Sequence, residues 1–322
     1  MQLAFSHVAG PSRAASGGVA TSFFFDAHDA ERRIAAIERA GFSRLVVDDA
    51  GGLLTNMDIA AEAVRASGGI DIALTHWAGD IEPAVAARQL AALDAISGGR
   101  LALRMTAGGD IDATTHVEAL ARTDEYLVLL KRLWANTSPF DHEGPAYSLR
   151  AGFVPRKGPR GADIPVRMNG LSGTAFRVAG RHADVFELPY GAPDQLRHVI
   201  GRVLAAAAER GRSGKVGFAL PLSLRHWQHG GTADDAMDAA IRAGSPERLA
   251  QALLPYASLG VSELMIHDLN TVETIAAFGD RIAPAIRDAA ERRLSPEVAW
   301  PGRPFRPVLS AGLSAPDLLR HH

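Results

Sequence analysis

Cysteine is missing from all 322 residues, which excludes disulfides, thiolate nucleophiles and Cys-based zinc or iron–sulfur sites. An excess of either charge is missing too. Lys and Arg number 34 against 36 Asp and Glu, a formal net charge of −2. That balance offers no electrostatic case for nucleic acid or an anionic membrane as partner. No apolar run is long enough to span a bilayer, and the N-terminus "MQLAFSHVAGPSR" lacks a basic region followed by a long apolar core. Membrane insertion and secretion are therefore poor readings, and a cytoplasmic soluble protein is expected.

What is present is an ordinary globular balance, 47% hydrophobic and 22% charged, enough for a sizeable core. Along the chain, short apolar runs alternate with longer amphipathic ones. "MQLAFSHV", "SRLVVDD", "GIDIALTHW" and "RLALRMT" read as strands. "DAERRIAAIERAGF", "NMDIAAEAVRAS", "EPAVAARQLAALDAI" and "ATTHVEALARTDEYLVLLKRLW" read as the helices that follow them. The unit then recurs as "IPVRMN" with "SGTAFRVAGRHA", "DVFELP" with "PDQLRHVIGRVLAAAAER", "KVGFALPLSL" with "SPERLAQALLPYASLG", and "VSELMIHD" with a last helix running to Arg293. Eight strand–helix units predict a closed (β/α)8 TIM barrel, an α/β fold, over residues 1–294, since roughly 250 residues is typical for that architecture. Three segments break the alternation. Residues 135–163 are rich in turn formers and predict a hairpin insertion after helix four. Residues 225–244 form a short insertion after strand seven. Residues 295–322 form a tail with five prolines that is expected to wrap the surface or a partner subunit.

The side chains with chemistry fall at predicted strand ends, where barrel sites are built. In "IPVRMNGLSG" an apolar run stops at Asn169-Gly170 and a helix opens at Ser172. Gly170 lets backbone approach a ligand, Ser172 can cap the helix, and the first-turn amides leave a partial positive charge of roughly half an elementary charge. The segment is a candidate anion site, or a plain helix cap. His7 ends strand one and His76 ends strand three, and an imidazole there could act as general base or hold a substrate anion. Arg104, near the end of strand four, has only donors to offer. It is a candidate for an anionic ring edge, for an anionic substrate group, or for a neighbouring carboxylate such as Asp48 or Asp49. His267-Asp268 closes strand eight with the same choice of roles. His226 and His229 lie one helical turn apart, without a third ligand at sensible spacing, so no metal site is expected.

Several pieces, taken in order, resemble a known family. They are "EPAVAARQLAALDAISGGRLALRMTAGGD", "TDEYLVLLKRLW", "FDHEGPAYSLR", "MNGLSGTAFRVAGRHADVFELP" and "GSPERLAQALLPYASLGVSELMI". Together they are similar to the bacterial-luciferase-like flavin-dependent monooxygenases, and within them to the alkanesulfonate monooxygenase branch. The resemblance implies reduced FMN supplied by a separate NAD(P)H-dependent flavin reductase, with O2 as co-substrate and a small organic substrate. It also implies a homodimer or homotetramer; a related set uses a deazaflavin instead. It places the flavin phosphate at Asn169, Gly170, Leu171 and Ser172, where the family usually has Gly-Gly-Ser-Ser. It places ring contacts at the register of Arg104, with Thr106 adjacent, a phosphate contact at Tyr126, and an active-site histidine at His7.

The departures bear on the reaction. The family's Arg-x-His pair on strand seven is replaced by Ala219-Leu220-Pro221, its Tyr after strand eight by Leu269, and its cysteine has no counterpart. An apolar wall at strand seven suits an aldehyde or ketone as well as a sulfonate. Two other readings stand beside the monooxygenase: a flavin-binding or non-catalytic barrel acting as partner subunit, and a flavin-free barrel enzyme that takes a phosphorylated substrate.

Overall fold

The computed structural model describes residues 3–9, 26–48, 55–105, 113–224 and 244–293. The tail, most of the insertion after strand seven, Thr106, Asp49, His226 and His229 lie outside these residues.

Eight strands close into a barrel: β1 (Ala4–Ala9), β2 (Arg44–Val47), β3 (Asp71–His76), β4 (Leu101–Met105), β7 (Val166–Met168), β8 (Val185–Glu187), β9 (Gly217–Ser223) and β10 (Val261–His267). Neighbours pair in parallel all the way round, and β1 meets both β2 and β10. The expected (β/α)8 barrel is thus the observed one. Helices α1 (Ala27–Arg39), α2 (Asn56–Ala66), α3 (Pro83–Ile96), α4 (Ala113–Ala135), α5 (Gly173–His182), α6 (Pro193–Ala208) and α7 (Pro246–Ser258) lie between them in chain order.

Helix starts follow local chemistry. Asp26, Thr55, Ser172 and Ser245 each accept a first-turn backbone N–H, relieving donors that have no partner within the helix. The last helix is the exception to the expected continuous run. It divides into α8 (Val272–Ala277), a π turn (Phe278–Ile282) and α9 (Ala283–Arg293). Pro284 has no N–H to give the preceding turn, and Gly279 lies against Ala40, where a Cβ would come within 2.6 Å of the Ala40 Cα. Lost donor and close backbone contact together favour the widened turn.

Between α4 and β7 the chain makes an antiparallel hairpin, β5 (Phe140–Glu143) with β6 (Ser148–Gly152), inside the segment expected to hold one. Glu125 on α4 fastens it, accepting from the Ala146 and Tyr147 amides and from His142 Nε2 at 2.9–3.2 Å.

Each barrel strand has two buried faces, so polarity does not alternate along it. The outward face packs on the helices as one large apolar layer that includes Phe5, Leu45, Ile72, Leu74, Leu103 and Ile266. Burying such side chains contributes roughly 1.5–3 kcal/mol each. The inward face has a smaller apolar set: Val8, Val46, Ala73, Ala102, Ala219 and Met265. The three alanines leave space inside the barrel, and charged side chains fill it.

Candidate active site

A column of ion pairs runs through the barrel. At the N-terminal end of the strands, Arg44 bonds Asp71 (3.2 Å) and Glu263 (2.8 Å). Glu263 also receives the Ser6 hydroxyl and Arg167, whose Nη1 is 3.0 Å away. Arg167 Nε reaches Glu187 Oε1 at 2.9 Å, and Arg104 Nε reaches Glu187 Oε2 at 2.7 Å. At the C-terminal mouth, Arg104 Nη1 ends the column on Asp48 at 2.8 Å, with Thr75 Oγ1 at 3.3 Å. Burial alone would raise the Glu263 carboxyl, but Arg167 and Arg44 overcome it and hold the group at about 2. Charges buried this deeply persist only when paired and hydrogen-bonded.

The column settles the position of Arg104. It points into the barrel at the mouth, as strand four's end implies, but two carboxylates already engage it and its side chain is only 12% exposed. Of the partners open in sequence, Asp48 is one it takes; Glu187, a second, was not among them. Three guanidiniums stand against four carboxylates (Asp48, Asp71, Glu187, Glu263), leaving one negative charge in excess. Arg104 therefore supplies little net attraction for an anion.

Two expected catalytic histidines are placed differently from expectation. His7 shares its face of β1 with Phe5 and Ala9, members of the layer between barrel and helices. It is fully buried, its ring lies edge-on to Phe42 at 5.6 Å, and its Nε2 donates to the Leu269 carbonyl at 2.8 Å. Burial holds it at about 4, hence neutral. His76 falls on the face of β3 shared with Ile72 and Leu74, and meets Tyr126 of α4 rather than the barrel interior. The Tyr126 phenol donates to the Ile81 carbonyl (3.1 Å), so its oxygen accepts from His76 Nε2 (2.8 Å). Tyr126 is itself fully buried, with its hydroxyl committed in both directions, so a phosphate contact from it would cost the bond to Ile81. Strand parity explains the placement of the two histidines, whose side chains leave the barrel on the helix side; Tyr126, on α4, meets His76 there.

The turn after β7 keeps the geometry expected of it. Gly170 has φ +116°, and a Cβ there would lie 2.8 Å from the Ala175 Cβ, so the turn is built for glycine. Ser172 caps α5, its Oγ accepting from the Ala175 amide at 3.1 Å, which leaves the hydroxyl proton free to donate. Asn169 is half-buried and Leu171 is 59% exposed at the rim. Chain order puts this helix N-terminus at the C-terminal face of the barrel, the same face as Arg104 and Asp48.

One mouth residue was open in sequence and is sharpened by the structure. His267, last on β10, shares its face with Glu263 and Met265, which point into the barrel. Its Nε2 is buried without a hydrogen-bond partner among the described residues. Burial lowers its basicity, with Asp268 opposing and Arg104 reinforcing that shift. Asp268 beside it adopts a left-handed φ of 67° and receives the Ser223 hydroxyl of β9. Asp visits that region more readily than most non-glycine residues, and here the bond from Ser223 accompanies it. Among the described residues no group of three or more His, Asp or Glu could hold a metal ion, and no helix is long and apolar enough to cross a membrane.

A family model described as luciferase-like monooxygenase matches residues 3–228. Solved structures of similar fold include EDTA monooxygenase from Chelativorans sp. BNC1, at TM-score 0.72 and 16% identity, covering 89% of this chain and 94% of that one. A riboflavin lyase, solved with modified FMN and riboflavin, gives 0.72 and 15%, covering 89% and 92%. The coenzyme F420-dependent tetrahydromethanopterin reductase from Methanopyrus kandleri gives 0.68 and 14%, covering 89% and 100%. At these identities the likeness to the solved structures is one of fold, whereas the family model spans most of the barrel. The chain belongs to the luciferase-like monooxygenase family.

Proposed function

We propose that this chain is the oxygenating component of a two-component flavin system. It takes reduced FMN from a separate NAD(P)H-dependent reductase and uses O2 to oxygenate a small organic substrate. The observation that carries the reading is the Gly170 turn with its Ser172-capped helix, opening onto the same barrel face as a polar mouth. Asn169, Gly170, Leu171 and Ser172 would hold the phosphate through first-turn amides and the Ser172 hydroxyl. When bound, reduced flavin with O2 supplies one oxygen atom to the substrate, the other leaving as water.

The chain's own work is to bind, orient and keep water out. Ala219 and Pro221 fall on the inward face of β9, and where close relatives carry an Arg and a His this strand offers an uncharged wall. That favours an aldehyde, ketone or other uncharged substrate over a sulfonate. Assembly as a homodimer or homotetramer and a cytoplasmic location belong to the same reading.

A deazaflavin is the alternative cofactor, supported by the F420-dependent member of the fold group. Anaerobic titration with reduced FMN, oxidised FMN, riboflavin and reduced F420, followed by absorbance and fluorescence, decides between them. Binding of reduced FMN with O2-dependent reoxidation coupled to substrate supports the monooxygenase; binding of F420 alone moves the chain to deazaflavin chemistry. Binding of FMN without coupled turnover supports a partner subunit. No binding of any of them overturns the flavin reading.

A further inference from the structure

We propose that His267 is the substrate-binding residue at the barrel mouth, and that its ligand is the oxygen of an uncharged carbonyl compound. The proposal rests on the barrel mouth being the active site and extends that reading to the class of substrate.

Three observations converge on it. First, His267 ends β10 on the face that points into the barrel, above Glu263 and Met265. The other two strand-end histidines differ here, since His7 and His76 face the helices and have the Leu269 carbonyl and Tyr126 as partners. Second, His267 Nε2 is buried with no hydrogen-bond partner among the described residues. A buried polar atom is nearly always satisfied in a folded protein, and an unpartnered one on the inward face at a barrel strand's C-terminal end is open to a ligand bound at the mouth. Third, its backbone is held: Asp268, left-handed at φ 67°, accepts the Ser223 hydroxyl, so β10 is tied to β9 beside the imidazole.

Charge then selects the ligand. The groups facing the imidazole are Asp48 from the end of β2, Arg104 from β4, Glu187 from β8 and Asp268 from its own strand, with His7 behind it on β1. Of these, Arg104 is the one formal cation, and its Nε and Nη1 are already given to Glu187 and Asp48. A sulfonate or carboxylate would meet three carboxylates across this mouth among the described residues. A neutral imidazole facing that field can donate one hydrogen bond without bringing charge, which is what a ketone or aldehyde oxygen needs.

The test uses the full chain with 15N-labelled histidine. Imidazole resonances are followed by long-range 1H–15N correlation, and the His267 signals are assigned by their disappearance in His267→Gln. Cyclohexanone is titrated as the neutral probe and 1-butanesulfonate as its anionic counterpart, with and without reduced FMN under anaerobic conditions. The expected result is that cyclohexanone shifts the His267 signals while those of His7 and His76 stay in place, and that butanesulfonate shifts none of the three. His267→Leu should weaken cyclohexanone binding about tenfold, the equivalent of one hydrogen bond, while His267→Gln, which keeps a donor, stays close to wild type. FMN affinity should be unchanged in both variants.

Wild-type cyclohexanone affinity in His267→Leu, or tighter binding of butanesulfonate than of cyclohexanone, overturns the proposal. An equal loss of FMN and ketone binding also overturns it, because that outcome marks a structural role. Should His267→Leu fail to fold, the probe-induced shifts in the wild-type chain decide alone. If the wild-type chain binds neither FMN nor F420, the cofactor reading fails by itself, and the ketone titration still reports on His267.

Discussion

Arg167 on β7 and Glu263 on β10 pair across the inside of the barrel, Nη1 to Oε2 at 3.0 Å, although two strands separate them along the wall. Arg167 is also the register neighbour of Arg104 on β4, and Glu187 keeps the two cations compatible by giving one carboxylate oxygen to each. The pairing is what lets like charges sit side by side in a buried layer.

Removing one member should therefore cost far more than the pair contributes. Arg167→Met takes from Glu187 and Glu263 the guanidinium they share in a dry interior and leaves each with one cation, Arg104 and Arg44, and a loss of about 3–5 kcal/mol is expected. Urea midpoints at neutral pH measure it. The triple variant Arg167→Met, Glu187→Gln, Glu263→Gln should recover most of that loss. A triple variant as unstable as the single one would mean that packing around Met, and not stranded charge, sets the cost.

Two titrations should give separate acid limbs in stability. Glu263 is held at about 2 against an ordinary 4.5, so its contribution is complete above 4.5 and is lost as pH falls from there through 2. His7 is lowered by burial from 6.5 to about 4. The unfolded chain binds its proton more readily, so stability is complete above 6.5 and declines as pH falls to about 4, by an amount on the order of 3 kcal/mol. Chemical denaturation from pH 7 to 3 should show His7→Gln flattening the upper limb and Glu263→Gln flattening the lower one.

Ser172→Ala tests the phosphate site against the plain helix cap. Both readings predict a stability loss of about 1 kcal/mol from the missing cap. Only the phosphate reading predicts that FMN affinity falls roughly tenfold while riboflavin affinity is unchanged. Parallel fluorescence titrations with the two flavins separate the cases.

The hairpin should be releasable without unfolding the barrel. Glu125→Ala removes the acceptor for Ala146, Tyr147 and His142 together. Amide hydrogen exchange at residues 144–148 should speed markedly while exchange in β3, β4 and β7 stays slow. Uniform acceleration across the barrel would show that the hairpin is part of its cooperative core.

The barrel was legible in sequence because eight apolar runs alternate with amphipathic ones and because capping residues such as Thr55 and Ser172 stand where helices begin. The hairpin was legible from turn formers around Gly144-Pro145. The site was legible in part. The Gly170 turn follows from local chemistry, but which face of a strand a histidine takes does not, because both faces of a barrel strand are buried and the apolar pattern carries no parity. The faces that His7 and His76 take were hidden for that reason. A signal did exist: Arg44, Arg104, Arg167, Glu187 and Glu263 are charges inside otherwise apolar strands, and charges so placed must find one another. Counting from them sets the inward parity of β2, β4, β7, β8 and β10, and puts His267 inside.

The ion-pair column also acts as a key for closing the barrel. A one-residue slip of β7 would turn Arg167 outward among the leucines and isoleucines of the helix-facing layer and take from Glu187 and Glu263 the cation they share, leaving each a single guanidinium, Arg104 and Arg44. Apolar strands buried on both faces would otherwise tolerate such a slip. By making the misaligned closure costly, the column selects a single register for the short strands β7 and β8, on which the mouth is built.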